Sequence, residues 1–408
     1  MINCIDTVSE CVYIYFVTRC QNTQGGNMKN LGFGMMRLPV IGGDPTNFDY
    51  EKLNKMVDAF LEAGYNYFDT SYVYHNGKSE EAARKALVER HPRDSFRIAT
   101  KFPSFIPMSE EDVEKTFAQQ LENVGVEYFD YYLLHNLQTV WYDGIEGKGD
   151  GYFLSEHLFD HAKKWKDDGK IKHLGFSFHS SPELLDRVLN EHPEVEFVQI
   201  ALNPIDWDSD FVAARECYEI IRKHGKDVIV MEAVKGGGLA KLPTAAEEVL
   251  KAVCPDKSIA SWSIRFASQL EGVIAVLSGM STIEQVNDNC RTANEAQPLN
   301  EKETEALWKA MEIYRECTPF PPAELEKYRG LTWNGVSVHS ILQAYSICLV
   351  QPDPTCIDDN NYFKNKLAEV SHLDIHSELP KQEVIRADGM NATYIVEEAV
   401  AYLQRNTF

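Results

Sequence analysis

No two of the nine cysteines in this chain have the C-x-x-C spacing that closes a zinc site, an iron-sulfur site or a redox dithiol. Their scatter from Cys4 to Cys356 predicts unpaired thiols in a reducing cytoplasm. Basic residues are also scarce: 40 Lys and Arg stand against 62 Asp and Glu, a formal net charge of -22. That balance argues against a partner among nucleic acids or anionic membranes, because both attract clustered Lys and Arg. No apolar run approaches the roughly 20 residues needed to span a bilayer. CVYIYFV near the N-terminus has no basic segment before it and no small-residue cleavage site after it, so it does not read as a signal sequence. A GxGxxG turn after an early strand, usual in an open doubly wound dinucleotide-binding sheet, is missing too.

What is present is a chain of 408 residues, 44% of them hydrophobic, which is enough for one large domain with an appendage. NTQGGN leads into a second methionine, Met28, just before the first clean strand pattern, so residues 1–27 are expected to lie outside the fold as an N-terminal extension. From there to about residue 300, β-rich runs alternate with segments of helical period. The predicted strands are 31–37, 65–69, 96–101, 129–135, 171–177, 197–202, 227–232 and 272–278.

The helices between them have readable ends. Leu53, Met56, Val57, Phe60 and Leu61 make one apolar face, stopped by Gly64. Gly169 closes a helix carrying Leu158, Phe159, Ala162 and Trp165. Ser181 before Pro182, and Ser281 with Glu284, read as N-terminal caps. Eightfold alternation over this length predicts an α/β fold, a (β/α)8 TIM barrel covering residues 28–316. Residues 317–408 change style, with turn-rich CTPFPPAE and QPDPT and two helical stretches. They are expected to form a mainly helical C-terminal extension packed on the barrel.

Catalytic groups of such a barrel gather at the C-terminal ends of its strands. Asp69, Lys101 and His135 leave three successive predicted strands, Ser177 ends the fifth, Gln199 lies within the sixth and Ser278 ends the eighth. Each alone has a plain structural reading as a helix cap, a solvated lysine or a satisfied histidine. Their convergence puts an acid, a cation and an imidazole around one mouth. Tyr74 supplies a phenol, with Tyr72 as its rival on the same loop. A phenol with a pKa of about 10 donates poorly near neutrality unless a cation such as Lys101 stabilises the phenolate.

Seven segments in order, FDTSYVYHNGKSE, ATK, YYLLH, GKIKHLGFS, VQIALNP, VMEAVKGGGLA and LSGMSTIEQVNDN, together resemble the aldo-keto reductases over residues 31 to about 300. The resemblance implies NADP or NAD bound across the barrel mouth and hydride transfer to a small-molecule carbonyl substrate, an aldehyde or a ketone. Its catalytic tetrad falls on Asp69, Tyr74, Lys101 and His135, which favours Tyr74 over Tyr72. By the same resemblance Ser177 and Gln199 hold the nicotinamide carboxamide, and Met231 replaces an aromatic that stacks on the ring. Met36, Asp69 and Glu232 border the cofactor. Lys235, Gly236 and Gly237 approach the pyrophosphate with their backbone, Ser278, Gly279, Met280 and Ser281 lead into an anion-favouring helix N-terminus, and Gln285 and Asn289 reach the adenosine. Substrate contacts are expected from Tyr74, His135, Trp141 and Tyr142, the last two on a glycine-rich loop. Packing against the C-terminal extension is an equal reading for those two aromatics.

Three departures matter. Phe178 stands where many members have Asn. No Lys or Arg occurs at Gly279, Met280 or Gln285 to pair with a ribose 2'-phosphate, so weak discrimination between the cofactors, or a preference for NADH, is expected. Bacterial proteins of this style often continue into a cysteine-rich ferredoxin-like module, but Cys317, Cys348 and Cys356 are too far apart, and no iron-sulfur cluster is expected. The alternative from another class is a cofactor-sensing regulatory protein on the same barrel with little turnover.

Overall fold

The computed structural model describes residues 30–144, 151–350, 359–373 and 379–405. Eight parallel strands close into a barrel: β1 (Leu31–Gly34), β2 (Tyr67–Asp69), β3 (Arg97–Phe102), β4 (Phe129–Leu137), β5 (Ile171–Phe178), β6 (Phe197–Ala201), β7 (Asp227–Met231) and β8 (Val273–Gly279). Ring order equals chain order, and β8 pairs back onto β1 through Gly34 and Gly279. All eight predicted strands are present, with edges moved. Met35–Arg37 is a 3-10 turn rather than the end of β1, β2 starts at Tyr67, and β4 runs on to Leu137.

Helices α1 (Tyr50–Glu62), α2 (Ser79–Ala83), α3 (Glu110–Val124), α4 (Leu158–Asp167), α5 (Pro182–Glu191), α6 (Ala214–Lys223), α7 (Ile259–Ser268) and α8 (Ile283–Glu295) surround the barrel. In α1, Leu53, Met56, Val57 and Phe60 are buried, as their spacing requires, while Asp49 caps the first turn at the Lys52 amide. Ser181 caps α5 with Pro182 behind it. The cap of α8 lies one residue later than expected: Thr282 and Gln285 form a reciprocal capping box, and the Ser281 hydroxyl instead donates to the Arg37 carbonyl at 2.8 Å.

Two apolar layers hold the barrel. The outer one lies between strands and helices and includes Phe33, Phe68, Ile98, Tyr132, Leu134, Phe176 and Val230. Tyr67, Ala99, Tyr131, Leu133, Phe197, Ile229, Ala275 and Leu277 fill the inside. Gly175 belongs to that inner row because any Cβ there would sit 2.5 Å from the Phe197 carbonyl oxygen.

After β8 and α8, helix α9 (Glu301–Glu316) leads into the C-terminal part of the chain. A two-stranded hairpin follows, β9 (Thr332–Trp333) with β10 (Val336–Ser337), then α10 (Val338–Leu349), α11 (Asp359–Ser371) and α12 (Thr393–Arg405). These segments pack on the loops at the mouth end of the barrel. Asp210, after β6, accepts from His339 Nδ1 and from the Ser340 hydroxyl, each at 3.2 Å. Asn365 on α11 donates to the His179 carbonyl, and Phe363 meets Phe211 with ring centres 6.3 Å apart. No helix among the described residues is long and apolar enough to cross a membrane. The expected extension 1–27, Cys4, Cys11, Cys20 and Cys356, and residues 145–150 of the glycine-rich loop lie outside the described residues.

Candidate active site

Side chains alternate along a strand, so an inward-facing row continues two residues at a time towards the mouth. One step beyond the inner core, that row gives Asp69 after Tyr67, Lys101 after Ala99 and His135 after Leu133. Ser177 follows Gly175, Gln199 follows Phe197, Met231 follows Ile229 and Gly279 follows Leu277. The barrel therefore presents an acid, a cation, an imidazole, a hydroxyl and an amide in a single layer.

Lys101 and Asp69 form an ion pair whose side chains are only 1% and 3% exposed. The ammonium also donates to the Thr70 carbonyl at 2.8 Å. Burial works against the charge on Lys101, but Asp69 outweighs it and the lysine pKa is raised above its ordinary value. The ammonium lies 4.7 Å from the centre of the Tyr74 ring, and the His135 ring meets Tyr74 edge to face at 5.9 Å. All four tetrad residues are thus brought together. Tyr72 lines an outer groove with Lys78, Glu81, Gln119 and Asn123.

The electrostatics differ from expectation in one respect. Burial raises the Tyr74 pKa above 10, and the opposing pull of the Lys101 charge does not overcome it. The phenol is accordingly held protonated. His135 is pushed well below its ordinary value by burial, by Lys101 and by His179, so the imidazole is neutral. Its Nδ1 lies 3.1 Å from the Ser71 hydroxyl.

Tyr74 is placed by an unusual backbone. His75 and Asn76 both adopt left-handed conformations, with φ of 53° and 52°. The His75 ring bridges two segments that fix this turn: Nδ1 lies 2.8 Å from the Pro45 carbonyl, and Nε2 lies 3.2 Å from the Leu38 amide. A carbonyl can only accept and an amide only donate, so His75 is the neutral Nδ1–H tautomer. Burial lowers its pKa in agreement.

The closed eight-stranded parallel barrel agrees with the family comparison. The model of the Aldo/keto reductase family matches residues 30–312. The chain belongs to the aldo/keto reductase family. It is 23% identical over 314 residues to the oxidoreductase YqkF of Bacillus subtilis, covering 69% of this chain and 92% of that one. It is also 23% identical over 333 residues to L-galactose dehydrogenase of Arabidopsis thaliana, covering 77% and 96%. Among solved structures, the holo form of aldo-keto reductase AKR11C1 from Bacillus halodurans superimposes with a TM-score of 0.55 at 23% identity, covering 69% of this chain and 91% of that one. A Klebsiella pneumoniae aldo-keto reductase in complex with NADPH gives 0.55 at 17% identity, covering 70% and 90%.

Several features of this aldo-keto reductase fit a nicotinamide dinucleotide. Gln199 is 1% exposed and its Oε1 has no hydrogen-bond partner, an acceptor awaiting a donor such as a carboxamide NH2. Ser177 Oγ accepts from the Asn136 amide at 2.8 Å, which leaves its own hydrogen to donate. The Asn136 amide is turned that way by a left-handed backbone, φ 62°. Gly237 has a φ of 100° and nothing within 4 Å of where a Cβ would be, so the loop after β7 has open space above it.

Other expected contacts are arranged differently. Ser278 has the opposite parity to Leu277 and Gly279, so it faces the helices, where its hydroxyl accepts from Asn289 at 2.9 Å. Asn289 is therefore directed at Ser278. Gln285 Oε1 is engaged by the Ser281 and Thr282 amides of the capping box, and Met280 is fully buried in the outer core. The Lys235 ammonium pairs with both carboxylate oxygens of Asp206, at 2.9 and 2.8 Å. The Lys235 and Gly237 amides close turns onto Glu232 and Val234, while Glu232 itself takes a φ of 54°. Met36 is 38% exposed at the rim, and Met231 is half-buried.

On the substrate side, Tyr142 is turned inward. It is 1% exposed, and its hydroxyl bonds to Glu191 and lies 3.0 Å from His192, beside Phe153 and Phe159. The turn Thr139–Tyr142, which carries Trp141, packs against α11. Phe105, missed in the sequence, lies edge to face with His135 at 5.4 Å. Ser71, His75, Asn136 and His179 were also missed; of these only Ser71 and His75 carried a signal, as polar residues flanking the acid and the phenol. Among the described residues no group of three His, Cys, Asp or Glu side chains is placed to hold a metal.

Proposed function

We propose that this chain is an NAD(P)H-dependent carbonyl reductase that converts an aldehyde or ketone to an alcohol with Tyr74 as proton donor. The observation that carries this reading is the protonated Tyr74 ring lying 4.7 Å from a buried, Asp69-paired Lys101 ammonium. A bound reduced nicotinamide would supply the hydride to the carbonyl carbon. Tyr74 gives its proton to the carbonyl oxygen as negative charge builds there, and Lys101 stabilises the phenolate left behind. Asp69 keeps the ammonium charged and in place. Neutral His135, with Nδ1 hydrogen-bonded to the Ser71 hydroxyl, orients the same carbonyl oxygen. Solvent returns the proton to Tyr74 after release.

Ser177 and Gln199 would hold the carboxamide, with Met231 beneath the ring. Gln285 is committed to the helix cap and no ammonium or guanidinium stands at Gly279, Met280 or Gln285, which supports modest discrimination between NADPH and NADH. The deciding experiment is steady-state oxidation of each reduced cofactor against a panel of aldehydes, ketones and quinones. Turnover requiring Tyr74 and differing by less than about tenfold in cofactor KM is expected. Tight cofactor binding without turnover of any carbonyl would overturn the enzymatic reading, and hundredfold tighter NADPH binding would overturn the cofactor one.

A further inference from the structure

The fold assigns a cation to the cofactor side of the mouth that is remote in sequence from the other cofactor-facing loops. Arg37 ends the 3-10 turn after β1, and its carbonyl is pinned by the Ser281 hydroxyl at 2.8 Å. Its side chain then runs across Gly279: a Cβ at residue 279 would lie 3.2 Å from Arg37 Nη1 and 3.6 Å from both its Cβ and Cδ. Glycine at 279 leaves room for the Arg37 side chain beside the end of β8. The charge of Arg37 also reaches Tyr74, whose pKa it lowers against the larger effect of burial. Arg37 therefore stands between the proton donor and the start of α8, with the loop of Gly237 facing open space on the neighbouring strand.

We propose that Arg37 is a binding residue for the pyrophosphate of the dinucleotide, an inference that rests on the cofactor reading above. Three physical arguments support it. A protein of net charge -22 repels a multiply charged anion, so local cations at the mouth are required to hold one. Lys235, the obvious basic residue of the glycine loop, sends its ammonium to Asp206 instead. A planar guanidinium suits two adjacent phosphate oxygens better than an ammonium does. The pyrophosphate is favoured over the 2'-phosphate because Arg37 acts on Tyr74 at the reacting end, whereas the 2'-phosphate belongs to the adenosine end of the molecule.

The test is fluorescence titration of NADH and NADPH into wild type, Arg37→Met and Arg37→Lys, each checked for native circular dichroism. Arg37→Met is expected to weaken both cofactors by the same factor, about 10- to 100-fold, with Arg37→Lys between. The dependence of Kd on salt should flatten in Arg37→Met, which a merely structural role would not cause. Weakening of NADPH alone would overturn the assignment by moving the contact to the 2'-phosphate, and unchanged affinity for both would overturn it outright. Wild-type protein that binds neither cofactor would instead overturn the cofactor reading beneath it.

Discussion

Lys101 stands 4.7 Å from the centre of the Tyr74 ring while its ammonium is bonded to Asp69, so one buried cation is shared between an acid at the end of the neighbouring strand and a phenol from the turn that follows it. The pair keeps charge inside the barrel where an unpaired ammonium would be costly, and it offers that charge to the phenol during proton transfer.

Tyr74→Phe should lower kcat for carbonyl reduction by about 100- to 10,000-fold, the usual contribution of a positioned proton donor. Cofactor affinity should hardly change. Tyr72→Phe, on the outer groove, should remain near wild type. Initial rates of NADPH or NADH oxidation at saturating cofactor compare the two, and a Tyr74→Phe enzyme with full turnover would remove Tyr74 from the mechanism.

Breaking the ion pair from either side should destabilise the fold more than breaking it from both. Lys101→Met or Asp69→Asn alone leaves an uncompensated buried charge, a cost of about 3–5 kcal/mol. The double variant should recover much of that loss in urea unfolding and yet stay inactive. Additive losses in the double variant would mean that the two side chains do not share a buried pair.

Stability should fall on acidification because of His135. Its folded pKa is depressed, so below the unfolded value of about 6.5 the unfolded chain takes up a proton that the native protein refuses. The stability present above that pH is lost as pH falls through it, with a slope of up to about 1.4 kcal/mol per pH unit. Urea midpoints of wild type and His135→Gln between pH 7.5 and 5 should converge towards the acid end. Parallel curves would show that His135 titrates normally.

The raised Tyr74 pKa sets the alkaline limb. A donor that stays protonated beyond pH 10 should leave the rate of reduction flat from pH 6 to 9. A fall in kcat with an apparent pKa near 8 would indicate that Lys101 outweighs burial after all.

His75→Ala should remove both contacts that hold the left-handed turn, to Pro45 and Leu38. The expected cost is about 1–3 kcal/mol in stability, since the Leu38 amide loses its acceptor. Because Tyr74 shifts with the turn, kcat should fall about tenfold or more at unchanged cofactor Kd. An unaltered kcat would show that the turn holds its shape without the imidazole.

Much of this protein follows from local pattern. The period of Leu53, Met56, Val57 and Phe60, the cap at Ser181 and the β-rich runs depend on neighbours a few residues away, so eight strands in barrel order were legible. Asp69, Lys101 and His135 were legible as well, because each extends the inward row of its own strand. Where a side chain points depended on partners distant in the chain. Asn289 claims Ser278, Asp206 binds the Lys235 ammonium, Glu191 receives Tyr142, and Gly279 makes room for Arg37. Hydrogen bonds and ion pairs between segments 11 to more than 200 residues apart select among rotamers that the local sequence leaves nearly equal in energy, and that selection is made only when the barrel closes.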